Sequence, residues 1–289
     1  MTRRFRRFAC IDWSGARGER QKGIAVAVSE GPGRTPKLID RTWSRQDVLD
    51  WLLDHARRGS DLLVGIDVST AFPFLDAGAY FPGWADSPAD ARSLWALVDA
   101  ICAGDPHLET GSFVDHVEAS RHFRRHGSRQ GDLFGSGNGR YRLVERICRD
   151  DRHAPATSCF NLVGAAQVGK SSLTGMRLLH RLDGRVPVWP IDPLPDKGPA
   201  IIEIYTTIAA RTAGLSGGSK MRDADRLRAG LAGYGIHRVP DLARYDDHST
   251  DAILTAAWLA EAAARADLWH PSALSSHVAA VEGWTFGIP

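Results

Sequence analysis

The sequence predicts an α/β protein whose mixed β-sheet starts with three antiparallel strands, continues with parallel strands and is flanked by helices. Three observations support this prediction: short apolar runs with turn-length breaks, an amphipathic segment after them, and apolar runs that end in an acidic residue. A continuous apolar run is typical of a strand that is buried on both faces, as the strands of parallel sheets are.

The start of the chain is predicted to form an antiparallel meander. Glycine-rich breaks of turn length separate three β-type runs. Breaks this short join antiparallel neighbours, because a parallel connection needs a dozen residues or more. The three runs lie at residues 8–11, 23–28 and 37–43.

A helix and a buried strand are expected after the meander. Ser44 is a typical N-cap, and the apolar residues after it recur at helical spacing until Gly59. Residues 62–66 are then apolar without a break, and Asp67 ends the run. The predicted order of elements is therefore β-β-β-α-β.

The less regular middle of the chain, residues 71–199, is predicted to be a large helical and loop insertion within a single domain at 1–289. Its apolar spacing predicts helices at residues 90–103, 114–125, 141–149 and 173–182. Beyond it we expect a strand over residues 201–205 and helices over residues 223–232 and 247–266.

The composition is that of an ordinary globular protein, with 43% hydrophobic and 24% charged residues, which excludes collagen-like, mucin-like and wholly disordered chains. The 36 Lys and Arg against 34 Asp and Glu leave a net charge of +2, so nucleic-acid binding would depend on local clusters of basic residues. The four cysteines are far apart, which indicates a reducing compartment. Without an apolar run of 18 residues, we expect a cytoplasmic protein that does not enter membranes.

Acidic residues end two of the predicted strands. Asp12 ends the first run and is followed by Ser14, and Asp67 ends the fourth and is followed by Ser69. A carboxylate at the end of a strand is held by rigid backbone and suits a hard cation. If the two strands are neighbours, the two carboxylates lie close together and need a cation or a shared proton.

A third group of acidic residues opens the last long helix. Asp247, His248 and Asp251 can share one helical face. Acids at a helix start are also common caps, so this segment alone leaves a structural role equally open. Glu203, in the apolar run at residues 201–205, is a weaker candidate ligand. If it is buried, it needs a partner or a metal; on an edge strand it would face water.

This pattern resembles the RNase H-like superfamily, which has a β-β-β-α-β core with acids on the first strand, the fourth strand and a late helix. The run from His248 to Ala252 is similar to the final catalytic motif of RuvC-type junction resolvases. Five short motifs, in their order, more closely resemble a bacterial family of unknown function described as predicted nucleases with an RNase H-like fold. They are Ile11-Asp12-Trp13-Ser14-Gly15, Gly65-Ile66-Asp67-Val68-Ser69, Val188-Trp189-Pro190-Ile191-Asp192, Glu203-Ile204-Tyr205 and Glu282-Gly283-Trp284.

The resemblance implies a nuclease that hydrolyses phosphodiester bonds of DNA or RNA by a two-metal mechanism with Mg²⁺ or Mn²⁺. It places Asp12, Asp67, His248 and Asp251 at the metal site, where His248 would be a ligand or an acid/base group. Asp247 and Glu203 are additional candidate ligands. The acid that RNases H themselves carry on their first helix has no clear counterpart here.

An arginine-rich segment, residues 121–142, is predicted to be a loop that binds phosphates independently of sequence. The alternative is a solvated surface loop without a ligand. The candidate substrate-binding residues are Ser14, Ser69, Arg121, Arg124, Arg125, Arg129, Arg140 and Lys170.

Other functions compete with the nuclease. Residues 164–171 satisfy the P-loop pattern, which would predict an ATP- or GTP-binding NTPase with Lys170 on the phosphates. The motif lies inside the irregular middle, and the two prolines in residues 186–192 disfavour a second central strand, so we interpret it as a loop near the site. An actin-like sugar kinase would need two β-β-β-α-β halves. A non-catalytic nucleic-acid-binding module of the same fold remains an alternative.

Overall fold

The structure is a computed structural model that describes residues 5–150, 156–163, 168–215 and 221–289. Its strands are β1 (Arg7–Asp12), β2 (Ala25–Ser29), β3 (Lys37–Leu38), β4 (Leu62–Ile66), β5 (Arg124–Arg125), β6 (Arg129–Gln130), β7 (Val188–Trp189) and β8 (Ala200–Glu203). Its α-helices are α1 (Arg45–Arg57), α2 (Ala91–Ile101), α3 (Gly111–Val114), α4 (Leu143–Asp150), α5 (Val168–Arg181), α6 (Thr206–Thr212), α7 (Ala224–Ala232), α8 (Asp247–Ala262), α9 (Ala266–Trp269) and α10 (Ser276–Glu282). Two short 3₁₀ helices, Pro106–Leu108 and Ala119–His122, lie between α2 and β5.

Six strands form one mixed sheet in the order β3-β2-β1-β4-β8-β7. The pairs β1–β2 and β2–β3 are antiparallel, and β1–β4, β4–β8 and β8–β7 are parallel. The predicted antiparallel start, followed by parallel strands and flanked by helices, is therefore confirmed. The remaining strands, β5 and β6, form a separate antiparallel hairpin.

Helices cover both faces of this sheet. Side chains such as Ile11 and Val64 point to one face and share a core with α1, α2 and α5. Their neighbours along the strands, such as Cys10 and Leu63, share the opposite core with α6, α7 and α8. The buried alanines of α8, which include Ala252, allow this helix to pack closely across β1 and β2.

Capping residues explain where the helices that matter for the site begin. Ser44 Oγ accepts a hydrogen bond from Asp47 N at 3.0 Å, and the Asp47 carboxylate accepts one from Ser44 N at 2.9 Å, which completes a capping box at α1. Asp246, rather than Asp247, caps α8 by accepting a hydrogen bond from Ser249 N at 2.9 Å.

The helix predicted at residues 114–125 is wrong. The structure has α3, a 3₁₀ turn and strand β5 there instead. The apolar residues at helical spacing do not share a face, because Phe123 is fully buried while Val117 is 72% exposed. The third strand is also shorter than predicted, since the chain leaves β2 after Ile39 and turns towards Ser44.

The middle segment, residues 71–199, contributes to the main sheet and its cover. It supplies the edge strand β7, and α5 packs against α1 and α2. Helix α5 begins at Val168, five residues before the predicted start, so Lys170 and Ser171 belong to its first turn. No helix in the described part of the chain is long and apolar enough to cross a membrane.

Candidate active site

The ends of β1 and β4 bring Asp12 and Asp67 side by side. The parallel register pairs Ile11 with Ile66, and Asp67 N donates a hydrogen bond to Ile11 O at 3.0 Å. Neighbouring strands lie about 4.8 Å apart, so the residues that follow this pair begin at nearly the same point. The two acids that sequence analysis placed at strand ends therefore meet at one edge of the sheet.

Helix α8 adds the third part of the site. Its first turn lies over β1, where His248 Nδ1 is 2.7 Å from Asp12 Oδ2. Asp251 lies three residues further along the helix, and its charge acts on both Asp67 and Cys10. The structure thus joins Asp12 to His248 by a hydrogen bond and places Asp67 at the neighbouring strand end, with Asp251 near enough for its charge to act on Asp67.

Burial and like charge dominate the electrostatics of this cluster. Burial, and then the charges of Asp12 and Asp251, raise the pKa of Asp67 well above its usual range. Burial also raises the pKa of Asp12, although the hydrogen bond from His248 opposes this. That hydrogen bond raises the pKa of His248. Negative charge is therefore concentrated in a partly buried cluster, and it needs a proton or a cation.

The chemistry of these donors fits a hard divalent cation, because carboxylate oxygens are the ligands that Mg²⁺ and Mn²⁺ prefer. Among the residues that the structure describes, however, no group of three or more His, Cys, Asp or Glu side chains is placed to hold a metal ion. Asp12 Oδ2 is hydrogen-bonded to His248 Nδ1 instead. The cluster is a donor set of suitable chemistry that lacks a preformed coordination geometry.

Glu203 has a partner that sequence analysis did not identify. Arg142 Nη2 and Nη1 lie 2.5 and 2.8 Å from its two carboxylate oxygens, and both side chains are almost fully buried. Thr70 and Thr285 donate further hydrogen bonds to the same carboxylate. Burial acts to raise the pKa of Glu203, but the Arg142 charge and these hydrogen bonds hold it below its usual range. This carboxylate is occupied by a structural ion pair rather than available to a metal.

Asp247 is also engaged elsewhere. Its carboxylate accepts hydrogen bonds from Arg222 Nε and from Arg222 Nη2, the latter at 3.0 Å. The acids at the start of α8 therefore have separate roles: Asp246 caps the helix, Asp247 pairs with an arginine, and Asp251 contributes to the cluster.

A cavity of about 390 Å³ opens beside the acids. The predicted substrate-binding residues Ser14, Ser69 and Lys170 line it together with Asp67 and His248. Val144, Cys148 and Ile204 form an apolar part of its wall. A ligand could therefore contact Asp67, His248, a lysine and an apolar surface at once.

The first turn of α5 is fixed against both loops that carry the acids. A Cβ on Gly15 would lie only 2.5 Å from the backbone of Lys170 and Ser171, so this close approach requires glycine. On the other side, Ser69 N donates to Ser172 Oγ at 3.0 Å. The position of Lys170 relative to the acids is therefore set by direct packing.

Arg45 is a further positioning residue that sequence analysis missed. This buried side chain donates hydrogen bonds to Ser14 O at 3.1 and 3.0 Å and to His107 O at 2.8 Å. It fixes the loop that follows Asp12. This role could not be predicted from the sequence, because an arginine in the first turn of a helix is common.

The predicted phosphate-binding arginines have different environments. Arg125 and Arg129 line a second cavity next to the first. Arg121 is paired with Asp132 and Glu118, and the exposed Arg124 lines neither cavity. Arg140 is held by Asp76 and by backbone carbonyls, and its guanidinium stacks on Phe160, so its role is structural.

The structure does not support the P-loop interpretation. Residues 164–167 of the motif lie outside the described residues. A P-loop follows a strand, but residues 159–163 form no strand of the main sheet, and only Asn161 makes an isolated bridge, to Arg124. Lys170 and Ser171 instead line the cavity that Asp67 and His248 also line.

No protein-family model, curated protein or solved structure matches this chain. Evidence for its function therefore comes from the geometry and chemistry of the cluster formed by Asp12, Asp67, His248 and Asp251.

Proposed function

We propose that the protein is a metal-dependent nuclease with an RNase H-like fold, which hydrolyses phosphodiester bonds of DNA or RNA with Mg²⁺ or Mn²⁺. The observation that carries this proposal is the meeting of Asp12, Asp67, His248 and Asp251 at one edge of the sheet. The β-β-β-α-β start of the chain, with β4 parallel to β1, supports it further.

The carboxylates of Asp12, Asp67 and Asp251 would hold the cation. A bound divalent cation would offset the repulsion among them and make a water molecule nucleophilic near neutral pH. The raised pKa of Asp67 is what such a site predicts in the absence of the cation, because burial and its neighbours then favour the protonated form.

His248 is the proposed general acid. An ionised Asp12 accepts the Nδ1 proton of the imidazole, orients the ring and raises its pKa, which favours the form that also carries a proton on Nε2. That proton can pass to the leaving oxygen of the phosphodiester. Lys170, which lines the same cavity, would contact a phosphate oxygen of the substrate.

Cleavage of labelled single-stranded DNA, duplex DNA, RNA and DNA/RNA hybrid with Mg²⁺ or Mn²⁺, compared with EDTA, tests the proposal. We expect metal-dependent cleavage that falls at least about a hundredfold in Asp12→Asn, because the variant loses a ligand charge and the partner of His248. The matched control is Asp225→Asn, an identical change at a carboxylate that is 89% exposed on α7, and it should cleave like the wild type.

Two results would contradict the nuclease. Salt-sensitive nucleic-acid binding without cleavage under either metal would favour the non-catalytic module. ATP turnover that persists in Asp12→Asn but disappears in Lys170→Ala would favour the P-loop function.

A further inference from the structure

A second cavity, of about 370 Å³, adjoins the candidate active site and is predominantly basic. Four cationic side chains and His126 line it, against the carboxylates of Glu109 and Asp115. A concave surface with excess positive charge attracts anions more strongly than an open one. The four cationic residues are Arg17, Arg125, Arg129 and Lys170.

The two cavities share a wall. Gly15, Ala16 and Lys170 line both of them, so the basic cavity begins where the loop after β1 meets the first turn of α5. Each cavity has the volume of a typical ligand site. A ligand that occupies both must be long enough to pass Lys170, as a polymer strand is.

Arg125 has a guanidinium hydrogen-bond donor that is not used within the described part of the chain. Its side chain is 17% exposed, and its Nη1 donates to Asp115 Oδ1 at 2.9 Å. Its Nε is buried and has no hydrogen-bond partner among the described residues. A buried donor without an acceptor is unfavourable, so the described residues do not fill the hydrogen-bonding capacity of this guanidinium. Arg129 Nη1 is 3.8 Å from the same Asp115, so both arginines point towards one region.

We propose that this basic cavity binds the sugar–phosphate backbone of the substrate strand next to the bond being cleaved. The inference rests on the proposed nuclease function and names the part of the protein that holds the flanking phosphates. Arg125 and Arg129 contact those phosphates, and Lys170 lies between them and the scissile phosphate. Asp115 competes with the phosphates for the two arginines.

Binding of a fluorescein-labelled 12-nucleotide single-stranded DNA, and of the same sequence as RNA, tests this by anisotropy in EDTA, which suppresses metal-dependent cleavage. We expect Arg125→Ala/Arg129→Ala to bind about tenfold more weakly at 0.1 M salt. Its plot of log affinity against log salt should be shallower by about 1.4, at about 0.7 for each lost phosphate contact. The RNA and DNA arms identify which polymer is preferred.

Two matched variants make the experiment specific. Arg121→Ala/Arg124→Ala removes the same charge from the same segment but outside the cavity, and its affinity should stay within about twofold of the wild type. Asp115→Asn should bind more tightly, because it frees both arginines. Melting curves confirm that each variant is folded.

The outcomes separate this inference from the proposed function. If the wild type fails to bind either strand, if both double variants bind equally, or if Asp115→Asn weakens binding, the basic cavity is not the phosphate site. If the cavity variants weaken binding as expected but no metal supports cleavage, the basic cavity is still a phosphate-binding site, and the nuclease proposal fails.

Discussion

Two carboxylates at the ends of neighbouring strands have opposite surroundings. Asp67 follows β4 directly, and Glu203 ends β8, where it pairs in register with Ile66. Both side chains line the same cavity. Glu203 is held by Arg142 and has a lowered pKa, whereas Asp67 lies near Asp12 and Asp251 and has a raised one.

The difference separates a carboxylate that supports the fold from one that is available for chemistry. The hydrogen bonds of Glu203 tie β8 to Thr70 behind Asp67 and to Thr285 near the end of the described chain. The backbone hydrogen bond from Asp67 N to Ile11 O holds Asp67 in place. The negative charges of Asp12 and Asp251 disfavour the ionised form of its carboxyl group. Strongly perturbed carboxylates in a cavity are characteristic of functional sites.

Removing the arginine tests the structural half of this comparison. Arg142→Met leaves the Glu203 and Glu145 carboxylates buried without their cation, so we expect the free energy of unfolding to fall by about 3–5 kcal/mol. Urea denaturation measures it. In the control, Arg57→Met removes an exposed arginine that pairs with Asp54 and should change stability by less than about 1 kcal/mol. An equally small loss in Arg142→Met would show that the buried pair does not stabilise the fold.

The opposite result is expected at the acid cluster. Asparagine is a neutral isostere of the protonated form that Asp67 favours without a cation, so the stability of Asp67→Asn in EDTA should be equal to or higher than that of the wild type. Metal-dependent cleavage should fall at least about a hundredfold, which corresponds to about 2.7 kcal/mol of activation free energy. Parallel urea and cleavage assays decide this. A destabilised Asp67→Asn that still cleaves would reverse the roles assigned to Asp67 and Glu203.

The acid cluster could be predicted from the sequence in part. The strand ends at Asp12 and Asp67 were predictable, because apolar runs and their terminal acids are local patterns that survive folding. His248 and Asp12 are 236 residues apart, so their contact could be predicted only from the order of motifs along the chain.

The partner of Glu203 could not be predicted in the same way. Arg142 lies 61 residues away and belongs to a segment whose many arginines look alike in the sequence. Burial alone indicated that Glu203 needs a partner or a metal, and only the folded position of Arg142, directly before α4, decides which. The false helix at residues 114–125 has a similar cause, since its aromatic residues are buried by distant contacts such as that of Phe123 with Phe72.

The pH dependence of stability gives the finest test of the comparison. Because the folded-state pKa of Glu203 is lowered, its contribution to stability is present above its unfolded pKa, about 4.3, and is lost as the pH falls below it. Urea denaturation from pH 7 to pH 3 should therefore show a smaller acid loss in Glu203→Gln than in the wild type. Glu261→Gln, at an exposed glutamate of α8, is the matched control and should keep the wild-type profile.

Arg142→Met should then reverse the sign of the contribution that Glu203 makes to the pH dependence of stability. Without the arginine charge, the effect of burial is no longer outweighed, and it raises the pKa of Glu203, as it does for Asp67. A folded state with a raised carboxyl pKa binds its proton more tightly, so stability is lost as the pH rises through that pKa. Comparing Arg142→Met with Arg142→Met/Glu203→Gln isolates this effect. If the two profiles are parallel, something other than Arg142 makes Glu203 different from Asp67.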